Sequence, residues 1–289
     1  MRSHRLITVD VFTARPLLGN PVAVVLDADD VSPDDMQRIA AWTNLSETTF
    51  VLRPTVAGAD YRLRIFTPRG ELPFAGHPTV GSAHAVMEAG VVPAGTARLV
   101  QECAAGLVPI RVEPGEGPRR LFVQVPRVEV RRTTIDAAAV GRALGATPGA
   151  AAPPLVIDVG AVWLVVAFEQ EDVVRALRPD MGAVSALSLG LETVGITVYA
   201  PVASEGLVVR SFAPLSGIAE DPVCGSGNAS VAAHVAATGL LARVGAEWTA
   251  SQGREVGRDG AVRVRVADEG RAIEIGGHAV TVVDGSLAI

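Results

Sequence analysis

The chain repeats itself. VLRP at Val51–Pro54 is answered by VYAP at Val198–Pro201, and RIFTP at Arg64–Pro68 by RSFAP at Arg210–Pro214. The triplet Ala75-Gly76-His77 is answered by Cys224-Gly225-Ser226, and the helix-stopping Gly90 by Gly239. Partners stand 147, 146, 149 and 149 residues apart. Four short motifs in one order at so constant a separation mark a duplication, and a duplicated chain builds one supersecondary unit twice. At 289 residues there is enough chain for two cores. The expected class is therefore α+β, with two pseudo-symmetric halves, each a curved sheet or barrel wrapped round one alanine-rich central helix. We place the first half at residues 1–126 with a C-terminal strand from 280–289, and the second at 127–279. The halves join near Pro126 to Arg132, and Gly145 to Pro154 is a loop inside the second.

Local signals fill in the elements. Strands are expected at Leu6–Phe12 and Pro21–Leu26, around a Gly19-Asn20-Pro21 turn. Ser32 is a candidate N-cap, with Pro33 at the first helical position and Asp34 and Asp35 at the positive end of the dipole, so a helix should run to about Thr43. Strand runs follow at Thr48–Leu52 and Tyr61–Phe66, which puts Glu47 at a helix-to-strand junction. A second helix is expected from about Pro78 to Ala89, stopped by Gly90. The most apolar stretch, Leu155–Phe168, carries Asp158 and follows Pro153-Pro154, so it reads as a buried strand and not a membrane span.

Composition closes off several chemistries. The net charge is −6, and all 25 basic residues are arginine, scattered along the chain. A nucleic-acid partner is not expected. With no lysine there is no lysine Schiff base, no lysine-anchored pyridoxal phosphate and no P-loop. Cys103 and Cys224 form no C-x-x-C pair, which fits a reducing cytoplasm and no structural zinc. His77 and His84 are seven apart on one helix without a third ligand, so no metal site is expected. No G-x-S-x-G elbow is present. The N-terminus turns to strand pattern before a signal-peptide core forms, and neither a secretory leader nor a membrane span is expected.

What remains is acid-base equipment beside two glycine loops. Each repeat places a small-residue loop, Ala75-Gly76-His77 or Cys224-Gly225-Ser226-Gly227, directly before a helix. Glycine there lets a ligand approach the backbone, and free first-turn N–H groups attract an anion. Glu220-Asp221 precedes the second loop, His77 lies in the first, and Glu47 occupies its own junction. A carboxylate in an apolar cleft is raised toward neutrality, which suits it to proton exchange with carbon. Cys224, just before a helix start where the dipole favours thiolate, is a candidate nucleophile or base. Its counterpart is Ala75, so a symmetric two-thiol arrangement is excluded.

Five runs carry a wider resemblance: VFT-(x)5-GNPVAVV (Val11–Val25), MQRIA-(x)3-NLSETTFV (Met36–Val51), RIFTP-(x)2-ELPFAGHPTVGSA (Arg64–Ala83), FAP-(x)3-IAEDPVCGSGNAS (Phe212–Ser230) and the closing GGHAVTVVDGSL. In this order they resemble the phenazine-biosynthesis PhzF family of isomerases. The resemblance implies the diaminopimelate epimerase fold, with an active site between two halves, and a cofactor-free, usually dimeric enzyme. Such an enzyme shifts a proton in a small cyclic amino or imino acid, such as trans-2,3-dihydro-3-hydroxyanthranilate or an unsaturated proline precursor. Carried over by motif, Glu47 is the proton shuttle, while His77 and Asp221 hydrogen-bond the substrate. Ser226 with the backbones of Gly76, Gly225 and Gly227 lines a carboxylate pocket, and Ser46 and Cys224 are counted among the substrate-binding residues too. The chain departs from the family's usual threonine at Cys224, as cysteine epimerases do, but lacks their second cysteine. Two alternatives follow: a one-thiol epimerase pairing Cys224 with Glu47, and a ligand-binding protein without chemistry.

Overall fold

Two alanine-rich helices with no polar face organise the molecule. The computed structural model describes residues 2–93, 95–115, 117–131, 134–150, 152–203 and 205–289. The chain divides into two units: residues up to Gln124 together with Gly276–Ile289, and Val125–Ile275.

The first unit contains β1 (Ser3–Val11), β2 (Asn20–Val25), α1 (Pro33–Thr43), β3 (Thr48–Leu52), β4 (Tyr61–Thr67), β5 (Gly70–Leu72), α2 (Gly76–Glu88), β6 (Arg98–Cys103), β7 (Gly106–Gly115) and β8 (Gly117–Gln124). The second contains β9 (Glu129–Arg131), α3 (Ala137–Leu144), β10 (Leu155–Asp158), β11 (Val162–Ala167), α4 (Glu171–Ala176), α5 (Met181–Gly190), β12 (Gly195–Pro201), β13 (Leu207–Ala213), β14 (Ile218–Asp221), α6 (Gly225–Ala237), α7 (Leu241–Val244), β15 (Glu247–Gln252) and β16 (Gly260–Ala267). The last strand, β17 (Ala272–Ala288), starts in the second unit and returns to the first.

In the first unit the strands close a ring. β17 pairs with β1, then β2, β3, β4, β6, β7 and β8 follow, and β8 pairs with β17 again. The helix α2 fills this barrel, in contact with β1, β2, β3, β4 and β8, and every residue from Gly76 to Met87 is buried. A helix of small and apolar residues with only scattered polar ones has no distinct face to turn to solvent, so enclosure by strands is its stable solution. Small side chains make the fit: a Cβ on Gly81 would stand 2.3 Å from Val22 Cγ1. The helix starts two residues before the expected Pro78, because Gly76 and His77 already take helical geometry.

The second unit repeats this topology. β10 and β11 form an antiparallel hairpin, β11–β12 is parallel, β12–β13 antiparallel, β13–β15 parallel and β15–β16 antiparallel. The same sequence of pairings runs β1–β2, β2–β3, β3–β4, β4–β6 and β6–β7 in the first unit. Here α6 packs against β9 to β13 and β16, and is buried continuously from Gly227 to Val235. The α+β class and the helix-centred halves expected from the repeat therefore stand. Leu155–Phe168 is not the single strand expected. It is a hairpin turning at Gly160, whose φ of +99° lets the chain reverse while its N–H binds Asp158 Oδ1 at 2.9 Å. Within the expected joining and loop segments, Arg132 and Ala151 lie outside the described residues.

The units differ on their outer faces. α3, α4 and α5 cover the second sheet with an apolar layer of Val140, Leu144, Val174 and Val184 against Leu164, Ile196, Val198 and Phe212. In the first, α1 covers β3 and β4 only in part, through Met36, Ile39, Phe50 and Phe66. Among the described residues no helix is long and apolar enough to cross a membrane.

Candidate active site

The junction that holds Glu47 is built from both ends. α1 starts as its sequence requires, with Ser32 Oγ accepting from the Asp35 N–H at 3.2 Å, and stops at Asn44 in the left-handed conformation. Four residues later β3 begins, and the hydroxyls of Thr43 and Thr48 bond across the gap at 2.6 Å. This clasp sets the loop that carries Ser46 and Glu47, both partly buried. Neither threonine was singled out in the sequence, where a hydroxyl five residues from another has no distinguishing signal.

His77 stands in the first turn of α2, 5% exposed, with Nε2 3.4 Å from Glu47 Oε2. Burial pulls the imidazole down from 6.5 to about 3, with a hydrogen bond to the Pro21 backbone acting in the opposite direction. The ring is therefore neutral at physiological pH. α2 itself opens at Ala75 without a side-chain cap.

In the second unit, β14 ends at Asp221 and α6 begins at Gly225. Desolvation raises the Asp221 carboxyl to about 6, the Glu220 charge adds to the rise, and bonds from the Cys224 thiol and the Val223 N–H at 3.0 Å oppose it. Gln252, fully buried on β15, holds this loop. Its Oε1 accepts from the Cys224 N–H at 3.1 Å and from Asn228 Nδ2 at 2.8 Å, and its Nε2 donates to the Asp221 carbonyl at 3.2 Å. The first unit has a counterpart in Gln101 on β6, which donates to Thr79 in α2 at 3.1 Å. A lone Gln in a strand gives no sign in sequence that it will meet a helix start.

Three sequence readings are corrected. Glu220 is not available acid-base equipment: it is held in a bidentate pair by Arg210, with 2.8 Å contacts at both oxygens and a side chain 10% exposed. Cys224 is not an activated thiolate. Its Sγ caps α6 by accepting from the Gly227 N–H at 3.2 Å, and burial together with the Asp221 charge drives the thiol well above its ordinary value. The helix start does favour thiolate, but desolvation opposes it and wins. Gly227, finally, does not have its N–H to offer a ligand, since Cys224 takes it. Its lack of a side chain serves packing, because a Cβ would stand 2.5 Å from Ser211 Oγ.

Gly225 and Ser226 remain at the start of α6. Ser226 Oγ accepts from the indole Nε1 of Trp163 at 3.0 Å and lies 3.5 Å from Cys224 Sγ. The sequence pointed to Trp163 only as part of an apolar run.

The family model described as phenazine biosynthesis-like protein, PhzC-PhzF, matches residues 9–285. The chain is 38% identical over 298 residues to antisense-enhancing sequence 1 of Schizosaccharomyces pombe, covering 100% of both chains. It is 34% identical to trans-2,3-dihydro-3-hydroxyanthranilate isomerase of Pseudomonas aeruginosa, covering 98% of each. The crystal structure of a PhzF-family phenazine biosynthesis protein from Bacillus anthracis superposes with a TM-score of 0.87 at 27% identity, covering 100% of both.

Proposed function

Because the chain belongs to the PhzC-PhzF family of phenazine biosynthesis-like isomerases, we propose that it shifts a proton within a small cyclic amino or imino acid carrying a carboxylate. Glu47 is the proton carrier. Its carboxylate takes a proton from an activated carbon of the substrate and returns it one allylic position away, so that a double bond migrates and no electrons leave or enter.

The observation that carries this reading is the 3.4 Å approach of a buried, neutral His77 to Glu47. An imidazolium at that distance would stabilise the carboxylate and make it a poorer base, whereas a neutral ring leaves its basicity intact. His77 is then a hydrogen-bonding partner for substrate. By the sequence resemblance, Asp221, Ser226, Ser46 and the backbones of Gly76 and Gly225 bind the substrate's polar groups. Cys224 serves this reading as the cap of α6 and the partner of Asp221, and its raised thiol argues against a one-thiol epimerase. We extend the proposal to a cytoplasmic, cofactor-independent, homodimeric enzyme, on the resemblance and the two free thiols.

The test is an NMR time course in D₂O with trans-2,3-dihydro-3-hydroxyanthranilate and an unsaturated pyrroline carboxylate, using the parent and Glu47→Gln. One of the two should isomerise, and the substitution should slow it by about 10²- to 10⁴-fold with the circular dichroism unchanged. A Glu47→Gln protein that keeps most of its turnover sinks the assignment. Ligand binding by the parent without exchange of solvent deuterium supports the binding-protein reading instead.

A further inference from the structure

Trp163 opens the buried half of β11, 3% exposed. An indole N–H can only donate, and a buried one costs free energy unless it finds an acceptor. The acceptor here is Ser226 Oγ, 3.0 Å away in the first turn of α6. A serine hydroxyl has one hydrogen and two lone pairs, so this contact consumes accepting capacity and leaves the hydrogen to be directed elsewhere. Inside the protein the neighbour for it is Cys224 Sγ at 3.5 Å, a weak acceptor that already takes the Gly227 N–H. A ligand oxygen is a better acceptor than that sulfur and displaces it.

We propose that Trp163 is a positioning residue that fixes Ser226 as a hydrogen-bond donor, so that this point of the site favours an acceptor oxygen of the substrate, such as a carboxylate oxygen, over an N–H group. The inference rests on the reading of Ser226 as substrate-binding and adds the group that decides which substrate atom it accepts. The orientation agrees with the start of α6, where the helix dipole favours an anion.

A double-mutant cycle tests it. Trp163→Phe keeps the ring volume and removes the donor. With trans-2,3-dihydro-3-hydroxyanthranilate it should raise KM about 3- to 10-fold, the range of one lost neutral hydrogen bond, and leave kcat within about twofold. Ser226→Ala removes the hydrogen bond to the charged oxygen itself and should raise KM about 10- to 150-fold, and the double variant should be no worse than Ser226→Ala alone, because Trp163 acts only through that hydroxyl. Additive effects overturn the proposal.

A second measurement is independent of turnover and of whether Trp163→Phe folds. In a Trp42→Phe/Trp248→Phe chain Trp163 is the sole indole, since the protein has three tryptophans. Its emission should change on Ser226→Ala and on titration with 3-hydroxyanthranilate, a stable aromatic carboxylate. An emission indifferent to either also overturns the proposal. A parent enzyme that binds this probe but isomerises nothing leaves Trp163 in its role and removes only the proposed reaction.

Discussion

His77 Nε2 lies 3.4 Å from Glu47 Oε2 on a ring that burial keeps neutral down to a pKa of about 3. The unfolded chain takes up that proton near 6.5, so the folded state binds fewer protons below that pH. The neutral ring's contribution to stability is complete above about pH 6.5 and is lost as the pH falls toward 3. Between pH 7.5 and pH 5 the loss is about 2 kcal/mol. Asp221 and the other buried titrating groups act over the same range in both proteins, so the loss is read as a difference: from pH 7.5 to pH 5 the urea-derived stability should fall by about 2 kcal/mol more in the parent than in His77→Gln.

Asp221 runs the other way. Its carboxyl is raised from 3.8 to about 6, so the folded state holds a proton that the unfolded chain has released. The associated stability is present below about pH 3.8 and lost as the pH rises through 6. Asp221→Asn keeps the acceptor for the Val223 N–H without the charge. At pH 8 it should be more stable than the parent by about 1–3 kcal/mol, and below pH 4 the advantage should disappear. Chemical denaturation at the two pH values measures both; an Asn variant that is weaker at pH 8 contradicts the desolvation account.

The duplication has placed the same clamp in two settings. Arg64 grips Glu71 through two 2.7 Å contacts and lies 5.0 Å from the Phe66 ring; Arg210 grips Glu220 through two 2.8 Å contacts and lies 5.0 Å from Phe212. Arg210 is 4% exposed and also donates to the carbonyls of Val174 and Leu177 beside α4, both at 3.0 Å. Arg64 is 25% exposed and borders an open cleft of about 320 Å³ with Arg62 and Cys103. Arg210→Met leaves a buried carboxylate and the two 3.0 Å carbonyl contacts unanswered, and should cost about 3–5 kcal/mol. Arg64→Met exposes its partner to water and should cost about 0–1 kcal/mol. Unfolding free energies of the two variants decide the comparison; equal losses would show that burial is not what separates the clamps.

Part of this arrangement is legible in the sequence. Ser32 and Pro33 fix the start of α1 through local chemistry and the strand run opens at Thr48, so the position of Glu47 at a helix-to-strand junction was legible in the sequence, while the stop at Asn44 was seen only in the structure. The duplication was legible because its motifs recur in order. Trp163 and Gln252 were not, because each acts on a helix start 63 and 28 residues away in the chain, and no spacing rule connects them. Glu220 and Cys224 were misread for a related reason. Their types and neighbours favour reactivity, and only the arginine that grips one and the burial of the other reverse it.

The sequence by itself determined the repeat, the α+β class, an alanine-rich helix at the centre of each half, and the residue types able to move a proton. Those follow from periodicity, capping and composition, which act over a few residues or recur along the chain. The tertiary structure alone decided which groups are charged and which amides are already occupied. Ionisation depends on desolvation and on partners brought from distant strands, and a hydrogen bond once given to Cys224 or Gln252 is no longer there for a ligand.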